Sequence, residues 1–299
     1  MSRKSPWILP FYLLLSVYFS ACAPTQALPQ FKNTLVAIQP TPSVVVKATP
    51  VASLAVATVT MGPVVCNSQA GSLETGVIDT LLLDKPMRYT VYLPPCYSLD
   101  INMRYPVLYL LHGQGYIEDQ WIRIGAVSTA DRLITAGDVL PFIIVFPFDY
   151  SYKQPAEYRF EDVFIQQLIP TIDGTYRTQV AATQRAIGGL SRGGAWALHI
   201  GAGHPDLFGS IGGHSPAIFI RGENSLKRDI LAIPPDQLPR IWLDAGDSDS
   251  EYEVIVPFEE FLSQKNIPHE WHKYIGWHDE KYWSAHVERY LRWYAQGWR

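Results

Sequence analysis

The stretch Arg185–Leu198, RAIGGLSRGGAWAL, sets a serine among glycines between a short apolar run and a segment of helical character. Gly189, Leu190, Ser191, Arg192 and Gly193 read G-x-S-x-G. Five residues are a weak signal alone, but Arg185–Leu190 reads as a strand and Arg192–Ile200 as a helix. Strand, sharp turn and helix are what a nucleophile elbow requires. The serine at its tip must take a strained backbone, and glycines two positions to either side let strand and helix approach closely. An ordinary glycine-rich turn is the alternative, so the residues downstream decide.

A serine hydroxyl is a poor nucleophile at neutral pH and needs a base to take its proton and an acid to orient that base. For an elbow these follow in the order acid, then histidine, each beyond the carboxyl end of a later strand. After RIWLDAG comes DSDSE, which offers Asp247, Asp249 and Glu251; after HEWHKYI comes GWHDEKYW, which offers His278. Of the eight histidines, His269 and His272 fall in a candidate strand, His199 and His286 in candidate helices, and His204 follows a helix. Only His278, downstream of the acid, combines a loop position, a preceding glycine segment and a helix start. Asp249 lies far enough into its loop to reach an imidazole, with Asp247 as second choice, while Asp244 at the strand end supports the turn. DSDSEY also alternates acids as a calcium loop does, but its sixth position is Tyr252 instead of Gly and its twelfth is Phe258.

The tetrahedral intermediate of acyl transfer needs backbone N–H donors aimed at its oxyanion. One is expected from the amide of Arg192 and a second from the loop after the third strand of the sheet. YLLHGQGY fits the latter, with Gly113 and Gly115 allowing a close turn and Gln114 supplying the amide.

From Cys66 onward, apolar runs alternate with amphipathic stretches, which predicts an α/β sheet covered by helices. The strands are read at Arg88–Pro94, Pro106–Gly113, Phe142–Pro147, Arg185–Ser191, Gly209–Ser215, Arg240–Gly246 and His269–Ile275; several are apolar without alternation, as expected for strands buried on both faces. Helices are read at Glu118–Thr135, Phe160–Tyr176, Arg192–Ala202, Glu251–Gln264 and Asp279–Tyr294. In the last, Trp283, Val287, Tyr290, Leu291 and Tyr294 recur at helical spacing and are expected to pack on the sheet. Residues 66–299 therefore form one domain of catalytic size.

The amino-terminal part differs. Arg3 and Lys4 precede Trp7–Phe19, a run of 13 residues interrupted by Pro10, followed by the small residues of SACA. Residues 1–22 have the layout of a secretory signal peptide, since a bilayer span needs about 20 apolar residues. Small residues before Cys22 resemble a lipobox, with Phe19 where Leu is usual, so Cys22 is a candidate lipidation site; simple secretion and an uncleaved anchor are the alternatives. Residues 23–65 are rich in Pro, Thr, Val and Ala, with Lys32 and Lys47 as their only charges, and read as a tether. The remaining two of three cysteines, Cys66 and Cys96, are 30 positions apart and are expected to pair, against two buried thiols. The protein is thus read as exported, to the cell envelope or beyond, with membrane contact only through the lipid. A net charge of −4 and 17% charged residues give no basic footprint for nucleic acid.

YPVLYLLHGQG, RAIGGLSRGGAWAL, HPDLFGSIGGHSP, LDAGDSD and GWHDEKYW, in this order and spacing, resemble the putative esterase (esterase D) family of α/β-hydrolases, which includes feruloyl and acetyl-xylan esterases, siderophore esterases, S-formylglutathione hydrolases and mycolyltransferases. The resemblance covers Met87 to the carboxyl terminus. It implies an α/β-hydrolase fold with a mostly parallel sheet, a nucleophile at Ser191, an acid at Asp249, a base at His278, and oxyanion donors at the amides of Gln114 and Arg192. No metal or organic cofactor is implied. Arg192 departs from the Met that many members carry, and a cation there can change acyl preference. The implied activity is hydrolysis of carboxylic esters, with polysaccharide-linked acetyl or feruloyl esters as the first substrate class. Siderophore esters and acyl transfer come next, and the rival from another class is a surface binding protein without turnover. Tyr116, Trp121, Tyr152, Trp277, Tyr282 and Trp283 could present a platform for a sugar or phenolic ring.

Overall fold

The computed structural model describes residues 66–219 and 222–298. The signal segment, the tether and Cys22 lie outside the described residues. Eight strands form one sheet: β1 (Ser72–Ile78), β2 (Met87–Leu93), β3 (Val107–Leu111), β4 (Ile143–Pro147), β5 (Arg185–Leu190), β6 (Ser210–His214), β7 (Arg240–Gly246) and β8 (Glu270–Tyr274). Their order is β1-β2-β4-β3-β5-β6-β7-β8; β2 runs antiparallel to both neighbours and every later pair is parallel.

The order carries a functional consequence. From β3 the chain crosses to β4 on one side and then to β5 on the other, so β3 and β5 become neighbours, with Leu111 opposite Gly189. The loops that leave their carboxyl ends part to opposite sides, and such a switch point opens a crevice above the sheet. The chain enters that crevice at His112–Gly115 and again at Ser191.

Helices cover both faces. In chain order they are α1 (Gln120–Arg123), α2 (Ala126–Thr135), α3 (Phe160–Val163), which continues through a π-helical turn at Phe164–Leu168 into α4 (Ile169–Thr175), then α5 (Arg192–Gly203), α6 (Glu223–Ala232), α7 (Tyr252–Gln264) and α8 (Glu280–Gln296). The unbroken apolar run of β3 serves both layers. Val107, Tyr109 and Leu111 join Phe160, Phe164, Trp196, Phe258 and Leu262 in one core. Leu108 and Leu110 join Trp121, Leu133, Trp283, Val287, Tyr290 and Tyr294 in the other. The helical-spacing residues of the last segment therefore pack on the sheet as expected. Gly125, with φ 103°, divides the segment read as one helix from Glu118 into α1 and α2.

Two further elements were not read from sequence. β1 is an edge strand with Ser72–Thr75 exposed, so it lacks a buried face to announce it. α6 buries only Leu226 and Ile230, two anchors in ten residues.

Cys66 and Cys96 are joined by a disulfide, which ties the start of the described chain to the turn after β2. Closing a 30-residue loop restricts the unfolded chain by about 3–4 kcal/mol. Reduction without denaturant should lower the melting temperature by about 6–16 °C, at roughly 2–4 °C per kcal/mol for a domain of this size; an unchanged Tm would show that the bond contributes nothing. Packing gives a second prediction. A Cβ on Gly188 or Gly212 would run into the phenol of Tyr294, which is fully buried and held at its hydroxyl by His214. Gly188→Ala should destabilise the fold by about 1–3 kcal/mol, read from urea denaturation.

Candidate active site

Ser191 sits between β5 and α5 with φ 53° and ψ −122°, a conformation that costs a side-chain-bearing residue about 1–3 kcal/mol. Its own peptide bonds hold it there. The Ser191 N–H donates to the carbonyl of His214 at 3.0 Å, and its carbonyl accepts from Ala195 at 3.0 Å and Ala217 at 3.1 Å. A Cβ on Gly189 would meet the backbone of Gly193, and one on Gly193 would meet the backbone of Leu111 and His112. The glycines of the G-x-S-x-G stretch are thus required by the close approach of β3, β5 and α5.

His278 and Asp249 converge on this serine from two other strand ends. His278 Nε2 lies 2.8 Å from Ser191 Oγ, and His278 Nδ1 lies 2.8 Å from Asp249 Oδ1. A carboxylate only accepts, so Nδ1 carries the proton and the lone pair of Nε2 faces the serine hydroxyl. The Asp249 side chain is fully buried, whereas that of His278 keeps 19% of its surface exposed, enough to meet a substrate. Burial works to raise the Asp249 pKa. Burial is the largest single influence, but the hydrogen bond from His278, the Ser215 hydroxyl, the Glu251 amide, which donates at 2.7 Å, and the nearby imidazole together outweigh it, and the carboxyl is held below its ordinary range. Ser215 contributes without a well-aligned bond: its Oγ and Asp249 Oδ2 are both buried and lack a hydrogen-bond partner among the described residues.

Asp247, the second choice for the acid, is used otherwise. Its carboxylate accepts from the Gly276 N–H at 3.1 Å, its own N–H donates to Tyr274, and the Ser248 N–H donates to Gly276. It clamps the loop that carries His278. Asp244 lies deeper, fully buried, with four donors on its two oxygens: Tyr282 and Tyr290 hydroxyls at 2.7 and 3.0 Å, Trp242 Nε1 at 2.7 Å and His214 Nδ1 at 2.8 Å. Burial and then the Asp244 charge raise both phenols far above the ordinary tyrosine range, so they remain donors. This knot fastens α8 to the ends of β6 and β7, and the Tyr282 ring packs beneath Gly276, two residues before His278.

Gln114 and the amide-bearing residue Arg192 line one small cleft of about 190 Å³ together with Gln154, Ala217, Ile218, Phe219, Glu251 and Val254. A larger hollow of about 660 Å³, lined by Cys66, Cys96, Ile101 and Pro141 among others, lies toward the amino ends of β3 and β4, away from Ser191. The cationic Arg192 side chain, expected to bear on acyl preference, is turned into an ion pair. It is buried, donates from Nε to Asp149 Oδ2 at 2.8 Å and from Nη2 to the Lys153 carbonyl at 2.7 Å, and lies over the Phe219 ring. Trp196 Nε1 donates to the same oxygen of Asp149 at 2.9 Å. Asp149 is not marked by any motif, although an acid two residues after the apolar strand FIIVFP sits where β4 delivers it to the crevice. Nor is Gln120, which is fully buried and accepts from the Gly113 N–H at 2.8 Å.

Of the six aromatic residues considered as a platform, Trp121, Tyr282 and Trp283 are core residues. Tyr116, Tyr152 and Trp277 are exposed, on loops that follow β3, β4 and β8.

Comparisons with known proteins agree with this architecture. A bifunctional endo-1,4-β-xylanase/feruloyl esterase of Xylanibacter ruminicola is 38% identical over 171 residues, which make up 54% of this chain and 22% of that protein. An esterase of Mycobacterium tuberculosis is 30% identical over 250 residues, 63% of this chain and 51% of that one. The chain thus spans from about a fifth to about half of the length of these curated relatives. Among solved structures, a ferulic acid esterase superposes with a TM-score of 0.68 at 26% identity, covering 76% of this chain and 99% of its own. A ferulic acid esterase of Anaeromyces mucronatus shares the fold, with a TM-score of 0.67 at 21% identity over 78% of this chain and 94% of its own. The sequence model of the family described as putative esterase matches residues 81–294. The chain belongs to the putative esterase family.

Proposed function

We propose that the protein is an exported serine esterase in which Ser191, His278 and Asp249 act as a triad and the amides of Gln114 and Arg192 receive the oxyanion. The observation that carries the reading is the continuous hydrogen-bonded line from Ser191 Oγ through His278 to Asp249, set on a strained elbow. Ser191 Oγ attacks the ester carbonyl carbon while His278 Nε2 takes its proton. The negative charge moves onto the carbonyl oxygen, where the two amides meet it. Collapse breaks the carbon–oxygen bond to the alcohol, which leaves with the proton from His278; water then repeats the sequence on the acyl-enzyme. Asp249, fully buried and held anionic, orients the imidazole and stabilises the imidazolium that forms.

The first substrate class is an acetyl or feruloyl ester borne on polysaccharide. Two features support it: a curated relative is described as a feruloyl esterase joined to a xylanase, and Tyr116, Tyr152 and Trp277 present rings on loops at the mouth of the site. Export is supported by the signal-like layout of residues 1–22 and by the Cys66–Cys96 disulfide, a bond that persists in oxidising compartments. Lipidation of Cys22 and the tether of residues 23–65 complete the proposal as an envelope-held enzyme.

With p-nitrophenyl acetate, Ser191→Ala should lose at least about a thousandfold in kcat, and Asp249→Asn a comparable factor through the wrong histidine tautomer. Undiminished turnover by folded Ser191→Ala would reject the mechanism. For the substrate class, Tyr152→Ala should raise KM for a feruloylated xylo-oligosaccharide about 3-fold to 10-fold more than KM for methyl ferulate, the worth of about one ring contact; equal changes for the two esters would remove the platform.

A further inference from the structure

The Gly113–Gln114 peptide is held at the preceding N–H and at its own carbonyl. The Gly113 N–H donates to Gln120 Oε1 at 2.8 Å, and the Gly113 carbonyl accepts from His112 Nδ1 at 2.8 Å and from the Tyr116 N–H at 3.2 Å. A peptide unit is planar, so a carbonyl fixed in one direction fixes the N–H of the next residue in the opposite one. The Gly113 carbonyl therefore sets where the Gln114 amide points.

The bond from His112 exists in only one tautomer. Its Nε2 accepts from the Asp149 N–H at 2.9 Å, so that nitrogen bears no proton, and Nδ1 must carry the one it gives to Gly113. Burial holds this imidazole below its ordinary pKa range and keeps it neutral. It lies stacked on Phe148, which leaves little room for the ring to turn.

Asp149 is in turn held by the residue after the nucleophile. Its Oδ2 accepts from Arg192 Nε and Trp196 Nε1, and its Oδ1 accepts from the Ser151 N–H at 3.0 Å. Arg192 also grips the Lys153 carbonyl, so both ends of the segment 149–153 are tied to the first turn of α5. The chain of bonds runs from the Arg192 side chain to Asp149, to His112 and to the Gly113 carbonyl, and ends at the Gln114 amide. Arg192 begins that chain with its side chain and offers its own amide to the same crevice.

We propose that Arg192, Asp149 and His112 are positioning residues that hold the two oxyanion amides in register with each other, so that the arginine beside the nucleophile serves the geometry of the hole instead of contacting the acyl group. This rests on the reading of Ser191 as nucleophile and of the Gln114 and Arg192 amides as oxyanion donors. Its consequence is specific. An amide turned away from the developing charge weakens the transition state and leaves ground-state binding alone, which lowers kcat with little change in KM.

The test is the double variant Arg192→Met/Asp149→Asn, which removes both buried charges together and so avoids stranding either one. With p-nitrophenyl acetate, kcat should fall about 10-fold to 100-fold, less than for loss of an oxyanion donor outright, while KM stays within about twofold. A folded double variant with kcat within about twofold of wild type, or with the loss confined to KM, overturns the proposal. Ser191→Ala in the same assay separates the two readings: an active alanine variant defeats the nucleophile assignment itself, whereas an inactive one beside a fully active double variant defeats only the coupling. A second measurement needs no variant to fold. Imidazole ¹⁵N shifts of the wild-type enzyme at pH 7 should show His112 as the neutral Nδ1–H tautomer, and an Nε2–H tautomer or an imidazolium would overturn the chain of bonds at its centre.

Discussion

The backbone of Ser191 is the constraint from which the rest of the site follows. A residue with a side chain at φ 53° and ψ −122° persists only where its surroundings over-determine it. Here the surroundings are three parallel strands and a helix packed too closely for side chains at Gly189 and Gly193. The amide of Ser191 is tied to β6 and its carbonyl to both α5 and the turn after β6. The strain is offset by the same packing that fills the core, and it lifts Oγ clear of the sheet at the crevice between β3 and β5. The loops after β7 and β8 then need only bring a carboxylate and an imidazole within reach, and Asp247 and the Asp244 knot keep those loops in place.

Most of this architecture was legible because it is periodic or local. The seven strands read from sequence are present; β3, β4, β5 and β6, buried on both faces, have no choice of composition, whereas β8 is a half-exposed edge strand placed by the order of the elements around it. The elbow was legible because its glycines answer a steric demand within five residues. The acid and the base were legible because a parallel sheet delivers each loop to the same edge in chain order. What escaped the reading lacks those properties. β1 exposes most of its residues, and α6 shows two buried positions. The partner of Arg192 escaped for another reason: Asp149 arrives from β4, 43 positions earlier, and no spacing links the two until the strand order is known.

Arg192 shows how far burial can invert the meaning of a charge. Surface ion pairs such as Arg132–Glu288 on this protein contribute at most about 1 kcal/mol. The Arg192–Asp149 pair is nearly inaccessible, and stranding either member would cost about 3–5 kcal/mol. A pair of that kind is weak evidence for stability, because well-packed apolar residues could replace it. It is better explained by direction: the guanidinium holds the Asp149 carboxylate and the Lys153 carbonyl on two of its planar N–H groups, directions that an apolar contact between the same elements would leave free.

The central claim is that Ser191 is a nucleophile activated by His278. The most direct measurement is covalent: treatment of the folded protein with a fluorophosphonate, in which the serine oxygen bonds phosphorus and fluoride leaves, followed by peptide mass spectrometry. The account predicts one adduct, on the tryptic peptide Ala186–Arg192 that carries Ser191, and none there in His278→Ala. A folded protein that hydrolyses esters while this peptide stays unmodified would contradict it.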